Sequence, residues 1–185
     1  MIKTESIFTY VARITLTLLL IAAVVAAALA LVNQITRPII DKVNAEKTQQ
    51  AIQIVLPGGF DEEITDYADE TGLVTKVYKG ANGYALEVTP AGFDNTITMM
   101  VGVGLDGKVL GISVISHTES AGLGAVAAAD NAAGNAFRDQ FIGQSGSVSV
   151  SKDGGKIDAL TNATITSRAI CDGVNAALSC VAGLG

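Results

Sequence analysis

The chain has 185 residues, room for one folded domain and little more, and 49% of them are hydrophobic while only 5% are aromatic and none is Trp. Its formal net charge is −6, and the part from Thr48 onward holds 7 basic against 15 acidic residues. That balance argues against a nucleic-acid partner, because such binding depends on Lys and Arg neutralising phosphates.

In chain order, residues 1–13 form a short mixed segment with Lys3, Glu5 and Arg13, expected as an N-terminal tail. No charged residue falls between Ile14 and Thr36, and Ile14 to Val32 is apolar apart from Thr15 and Thr17. At ~1.5 Å per residue this run reaches about 28 Å, close to the hydrocarbon thickness of a bilayer. Residues 14–36 therefore read as a transmembrane helix. Ala28-Leu29-Ala30 resembles a signal-peptide cleavage site, but the apolar run exceeds the ~7–15 residues of a signal core, which favours a retained anchor. Its small residues, Ala26 to Ala28 and Ala30, suit close packing on a partner helix. Lys3 and Arg13 on one side against Arg37, Lys42 and Lys47 on the other leave the positive-inside count near a tie.

From Pro38, taken as the start of a new turn, Ile39, Ile40, Val43, Ala51, Ile52 and Val55 recur at helical spacing, so residues 37–56 are expected as a juxtamembrane helix that ends at Pro57-Gly58-Gly59. Residues 57–185 are then the folded domain. The acidic run of Asp61, Glu62, Glu63, Asp66, Asp69 and Glu70 lacks a Gly-punctuated cation loop and reads as a solvated face. Strand patterns follow over 74–78, 84–88, 96–104 and 109–116. Asn82-Gly83 and Asp106-Gly107 sit between alternating runs as hairpin signals, giving an antiparallel meander of about four strands covered by helices.

After the last strand comes His117-Thr118-Glu119-Ser120-Ala121-Gly122-Leu123-Gly124, with the chain's only histidine. One His with one Glu is more often a hydrogen-bonded loop than a metal site, and Gly122 and Gly124 allow backbone to approach something flat. Residues 125–141 read as a small-residue helix or loop anchored by Phe137 and Phe141, and 147–151 as a short strand. Ile170, Val174, Ala177, Leu178 and Val181 make the apolar stripe of a closing helix. Cys171 and Cys180, nine apart on that helix, fall on opposite faces and are not expected to pair.

Between the short strand and the closing helix lies Asp158-Ala159-Leu160-Thr161-Asn162-Ala163-Thr164-Ile165-Thr166-Ser167, which crowds four hydroxyls against a helix start. The plain reading is a helix N-cap; the alternative is a phosphate site, since free N–H groups at a helix start attract anions. Asp158, Thr161, Ala163 and Thr164 resemble the Asp-x-x-(Ser/Thr)-Gly-Ala-(Thr/Ser) flavinylation motif of the FMN-binding domain family, with Asn162 in place of Gly. Gly and Asn are the residues that most readily take φ > 0, so that exchange preserves a left-handed turn. The His117 block resembles the His-x-Glu-(Thr/Ser)-Pro-Gly-Leu-Gly motif of the same family, with Ala121 in place of Pro.

The resemblance implies an α+β fold, an N-terminal transmembrane helix followed by a single FMN-binding domain whose antiparallel sheet is flanked by helices. It implies FMN in phosphoester linkage to Thr164, attached by a separate flavin transferase that recognises Asp158. Thr161, Asn162, Ala163, Thr166 and Ser167 would surround the phosphate, and His117, Glu119, Gly122, Leu123 and Gly124 would form the second half of the site. One anchor plus one compact domain is most similar to the G subunits of the Rnf complexes, membrane-bound ferredoxin:NAD oxidoreductases that translocate Na⁺ or H⁺. The implied partners are the other subunits of such a complex and membrane lipid, with the tail cytoplasmic and the FMN domain extracytoplasmic. The related C subunit of the Na⁺-translocating NADH:quinone oxidoreductase shares this plan but is usually longer. A non-catalytic surface or pilus-like protein is the alternative from another class; pilin processing needs a Gly just before the apolar run, and none precedes Gly58. No catalytic triad, metal cluster or nicotinamide fingerprint is visible, so an electron relay is expected rather than a complete active site.

Overall fold

The computed structural model describes residues 7–184. Of the expected tail, residues 1–6 lie outside the described residues, as does Gly185. The chain divides into two compact units, the first ending at Ala45 and the second beginning at Glu46.

The first unit is helical. Helix α1 spans Ile7–Val55 and runs through Pro38, so the new turn expected at that residue is instead a position inside a continuous helix. Its apolar part has a mean hydropathy of 2.8 over 18 residues and no buried residue in that window. Leu16, Leu19, Val24, Leu29 and Val32 are all exposed. An apolar helix bare on every face lacks the polar side that water requires, and it is long enough to cross a bilayer.

The second unit is built on a five-stranded antiparallel sheet in the order β1 (Glu62–Ile64), β2 (Val74–Gly80), β3 (Gly83–Val88), β4 (Thr98–Gly104) and β5 (Val109–Ser116). The hairpin signals fall where expected. Gly80 pairs with Gly83 across Ala81-Asn82, and Gly107 takes φ 73° between β4 and β5. The acidic run keeps nearly all its carboxylates exposed, as read, but also supplies a strand the sequence did not announce: Glu62, Glu63 and Ile64 pair with Lys79, Tyr78 and Val77. A three-residue edge strand tolerates exposed carboxylates, and those charges discourage pairing with another chain.

Both faces of the sheet are covered. On β4, Met99, Val101 and Val103 point to one side, where they join Leu86, Val88 and the buried stripe of α3 (Thr164–Leu184) with Ile170, Val174 and Val181. Met100 points to the other side, to Ala51, Ile52, Val55 and Leu56 at the end of α1. The alternation is that of a strand buried on both faces. Gly102 lets the α1 backbone come close: a Cβ there would strike the carbonyl of Val55. Cys171 and Cys180 are free and buried, and burial pushes the Cys171 thiol up to about 12, which leaves it inert.

The connection from β5 to α3 holds a 3-10 turn at Gly124–Ala128, helix α2 (Ala132–Asp139) and a second 3-10 turn at Ser151–Asp153. Phe137 and Phe141 pack edge to face at 5.5 Å, as the anchor expected there. The short strand expected over 147–151 is reduced to a single bridge between Val150 and Ile157. The reason is local. The Val150 carbonyl accepts from the Asp153 and Gly155 N–H groups, so the chain turns before a ladder can extend.

Candidate functional site

Two turns of the same form face each other across a cleft. In the first, the Leu123 N–H donates to the Ser120 carbonyl at 3.2 Å, and Gly122 in the third position has φ 77°. In the second, the Ala163 N–H donates to the Leu160 carbonyl at 3.0 Å, and Asn162 in the third position has φ 58°. A left-handed third residue is what such turns demand. Asn162 is the only non-glycine with positive φ among the described residues, so the Gly-to-Asn exchange read from the sequence falls at the one place in the chain that selects for it.

The second turn launches α3, whose first residue is Thr164. The Ser167 N–H closes on the Ala163 carbonyl at 3.0 Å, so the N–H groups of Thr164, Ile165 and Thr166 have no acceptor within the helix. Ser167 is fully buried and ties turn to helix: its Oγ accepts from the Leu160 N–H at 3.0 Å and donates to the Ala163 carbonyl at 2.9 Å. Thr164 Oγ1 is free of such duties. It sits 3.0 Å from the Nζ of Lys152, which donates to it from the 3-10 turn.

Opposite, Glu119 is only 7% exposed yet fully partnered. Its Oε1 accepts from the N–H groups of Phe93 (2.8 Å) and Asp94 (3.3 Å), and its Oε2 accepts a short hydrogen bond from Thr166 Oγ1. Three segments far apart in sequence are joined by one carboxylate. A Cβ on Gly92 or on Gly124 would run into its oxygens, which is why both positions are glycine. A carboxylate with this many donors is held in place by the protein itself.

The cleft holds about 340 Å³ and is lined by Phe93, Glu119, Ser120, Leu123, Gly124, Lys152 and the segment Asn162 to Thr166. Phe93, Leu123 and Ile165 form an exposed apolar rim, 66%, 41% and 49% accessible. Lys152 and Thr164 form a polar end. A largely apolar lining with a cation and a hydroxyl at one end, beside free helix N–H groups, fits a planar ring carrying an anionic phosphoryl tail. A small nonpolar ligand would leave the polar end unused.

The FMN-binding domain family matches residues 92–179, the stretch that contains every wall of this cleft. Across nearly the full chain, the G subunit of the Na⁺-translocating ferredoxin:NAD⁺ oxidoreductase complex of Acetobacterium woodii is 32% identical, with 88% of this chain and 87% of that protein aligned. The G subunit of the ion-translocating oxidoreductase complex of Methanosarcina acetivorans is 30% identical over 92% of this chain and 94% of its own length. The corresponding Erwinia tasmaniensis protein is 33% identical over 85% and 83%. The chain belongs to the family of G subunits of ion-translocating oxidoreductase complexes.

Of the residues that the two family motifs nominate, the fold brings Glu119, Leu123, Gly124, Asn162, Ala163, Thr164 and Thr166 to the cleft. His117 is beside it, with its Nδ1 accepting the Glu119 N–H at 3.2 Å. Asp158 is exposed and fixed through its backbone, which exchanges two hydrogen bonds with the Gln140 amide. Thr161 is exposed in the turn, and Gly122 and Ser167 shape the walls from outside the lining. Sequence reasoning passed over Lys152, Phe93, Ser120 and Ile165. Lys152 lies just ahead of Asp153-Gly154-Gly155, where only the turn is legible; Phe93 stands in the loop between β3 and β4, a full sheet edge away in sequence.

Proposed function

We propose that this protein carries covalent FMN, attached through a phosphoester to Thr164, and passes electrons within a membrane-bound, ion-translocating ferredoxin:NAD oxidoreductase complex. What most supports the reading is that the first hydroxyl of α3 points into an apolar-rimmed cleft and meets a lysine rather than a helix-capping partner. When bound, FMN supplies the one- and two-electron chemistry, and the protein's part is to hold and tune it. Thr164 anchors the tail, the N–H groups at the start of α3 favour its negative charge, and Phe93, Leu123 and Ile165 shield the ring from water. Glu119 keeps the opposite wall in place.

Residues 14–36 of α1 serve as the membrane anchor, with residues 1–13 cytoplasmic and the FMN domain on the extracytoplasmic side. The partners are other subunits of the complex, membrane lipid, and a flavin transferase that loads the cofactor from FAD, with Asp158 exposed for it to recognise. A tethered cofactor suits a carrier outside the membrane, where a dissociated one is lost by dilution. The test is intact mass and in-gel flavin fluorescence on the purified full-length chain. The native protein is expected to gain the mass of FMN less water on the peptide holding Thr164, and Thr164→Val to fold normally with no covalent flavin. Covalent flavin retained by the Val variant would overturn the assignment.

A further inference from the structure

The cleft contains two charged side chains, Glu119 and Lys152, and they are used differently. Glu119 spends both oxygens on the protein itself. Among the described residues the Lys152 ammonium makes a single hydrogen bond, to Thr164 Oγ1. We infer that Lys152 is the phosphoryl-binding cation of the flavin attachment site: it orients the Thr164 hydroxyl toward the diphosphate of an incoming flavin dinucleotide, and afterwards holds the phosphodiester. This deepens the reading of Thr164 given above and rests on it.

The placement of Lys152 is built from below. The 3-10 turn Ser151–Asp153 ends at Gly154, in the left-handed region with φ 85°, whose N–H returns to the Ser151 carbonyl at 3.1 Å. Asp153, the next residue, grips Arg168 with two bonds of 2.7 Å, one to Nε and one to Nη2. Thr164 and Arg168 are four apart on α3 and therefore on one face, so the neighbouring residues 152 and 153 address neighbouring rungs of that helix. The Asp153 clamp fixes the register, which sets Lys152 beside Thr164. A lysine so held presents a compact point charge on a stem able to follow its partner from hydroxyl to phosphodiester.

The chemistry needs a cation at this place. In the attachment step the Thr164 Oγ–P bond forms to the phosphorus of the FMN half, the P–O bond to the AMP half breaks, and AMP leaves. The hydroxyl proton passes to a base on the transferase, and nothing is oxidised or reduced. Negative charge gathers on the phosphoryl oxygens next to a domain that is itself strongly acidic. With Nζ already 3.0 Å from the oxygen that becomes the ester oxygen, the non-bridging oxygens fall within its reach without rearrangement.

The test uses the full-length chain in detergent, made in a host without flavin transferase and then incubated with FAD, Mg²⁺ and purified transferase. Intact mass gives the initial rate of incorporation for the wild type, Lys152→Met, Lys152→Arg and Thr164→Val. Lys152→Met is expected to load at least roughly 10-fold more slowly, and Lys152→Arg to recover to within about 3-fold of wild type, because the arginine restores a phosphate-binding cation. Lys152 is exposed, so both Lys152 variants should melt with the wild type, which separates slow loading from misfolding. Wild-type loading at Thr164 with an equally fast Lys152→Met overturns the role of Lys152 alone. Loss in both Met and Arg variants overturns the role of the charge. A wild type that takes no flavin, or takes it elsewhere than Thr164, removes the reading of the site and this inference with it.

Discussion

The two walls of the cleft are made from the same kind of turn and do opposite things. The wall carrying Glu119 is closed on itself, with a buried carboxylate that meets two N–H groups and a hydroxyl and has glycines where side chains would intrude. The wall carrying Thr164 is left open, with a half-exposed hydroxyl, free helix N–H groups and an exposed lysine. One wall spends its polar groups on itself, and the other keeps them available. The two are joined by the Thr166–Glu119 hydrogen bond, within the first turn of the helix that carries Thr164. On the function proposed here, a flat ligand meets a fixed face on one side and its attachment chemistry on the other.

If that division holds, removing the buried carboxylate should damage the fold far more than changing the open wall. Glu119→Ala leaves the buried Thr166 hydroxyl and the Phe93 N–H without their carboxylate partner, a loss of about 2–4 kcal/mol. For a domain of this size that is a fall of roughly 10 °C in melting temperature. Calorimetry on the full-length chain without flavin is the check. A melting temperature within about 2 °C of wild type would mean that Glu119 faces a ligand instead of bracing the loop, and the contrast between the walls would collapse.

How much of this was legible in the sequence depends on the range of the interaction. The hairpins at Asn82-Gly83 and Asp106-Gly107 and the stripe of Ile170, Val174 and Val181 are local patterns, and they appear in the fold where the residues put them. The turn and helix start around Thr164 are likewise local, and the fold has both where the motif falls. Glu119 could be nominated but not understood, since its partner Thr166 lies 47 residues on and its other partners 25 and 26 residues back. Lys152 carried no local signal at all. A lysine in an acidic domain reads as surface until the turn at Gly154 and the Asp153 clamp aim it. Strand β1 was missed for a related reason, because edge strands need neither alternation nor apolar residues when only one side is paired.

The turn at Asn162 separates backbone shape from side-chain chemistry on the open wall. With φ 58°, Asn162→Gly should change stability by less than about 0.5 kcal/mol and leave flavin loading intact, since glycine reaches this region freely. Asn162→Val puts a β-branched residue there at a penalty of about 1–2 kcal/mol, and the Thr164 hydroxyl should swing away from Lys152. Melting curves and covalent flavin yield read the pair together. Equal yields from Gly and Val would show that the open wall does not depend on the turn's handedness.

The smallest effect concerns the clamp that holds Lys152 from outside. The Arg168 guanidinium beside Asp153 holds that carboxyl below its ordinary value of 3.8. A carboxyl depressed in the folded state stabilises it fully above the ordinary value, and the contribution is lost as pH falls through the lower, folded value. Both side chains are largely in water, at 48% and 39% accessibility, so the gain is modest and salt weakens it. The melting temperature of Asp153→Asn should therefore lie slightly below wild type at pH 7 and draw level as the pH drops below 3.8. Flavin loading at pH 7 should slow as well, because an unclamped turn lets Lys152 wander from Thr164. A gap in melting temperature that persists unchanged at pH 2 would trace the effect to packing of the turn rather than to the ion pair, and the open wall would owe its aim to backbone alone.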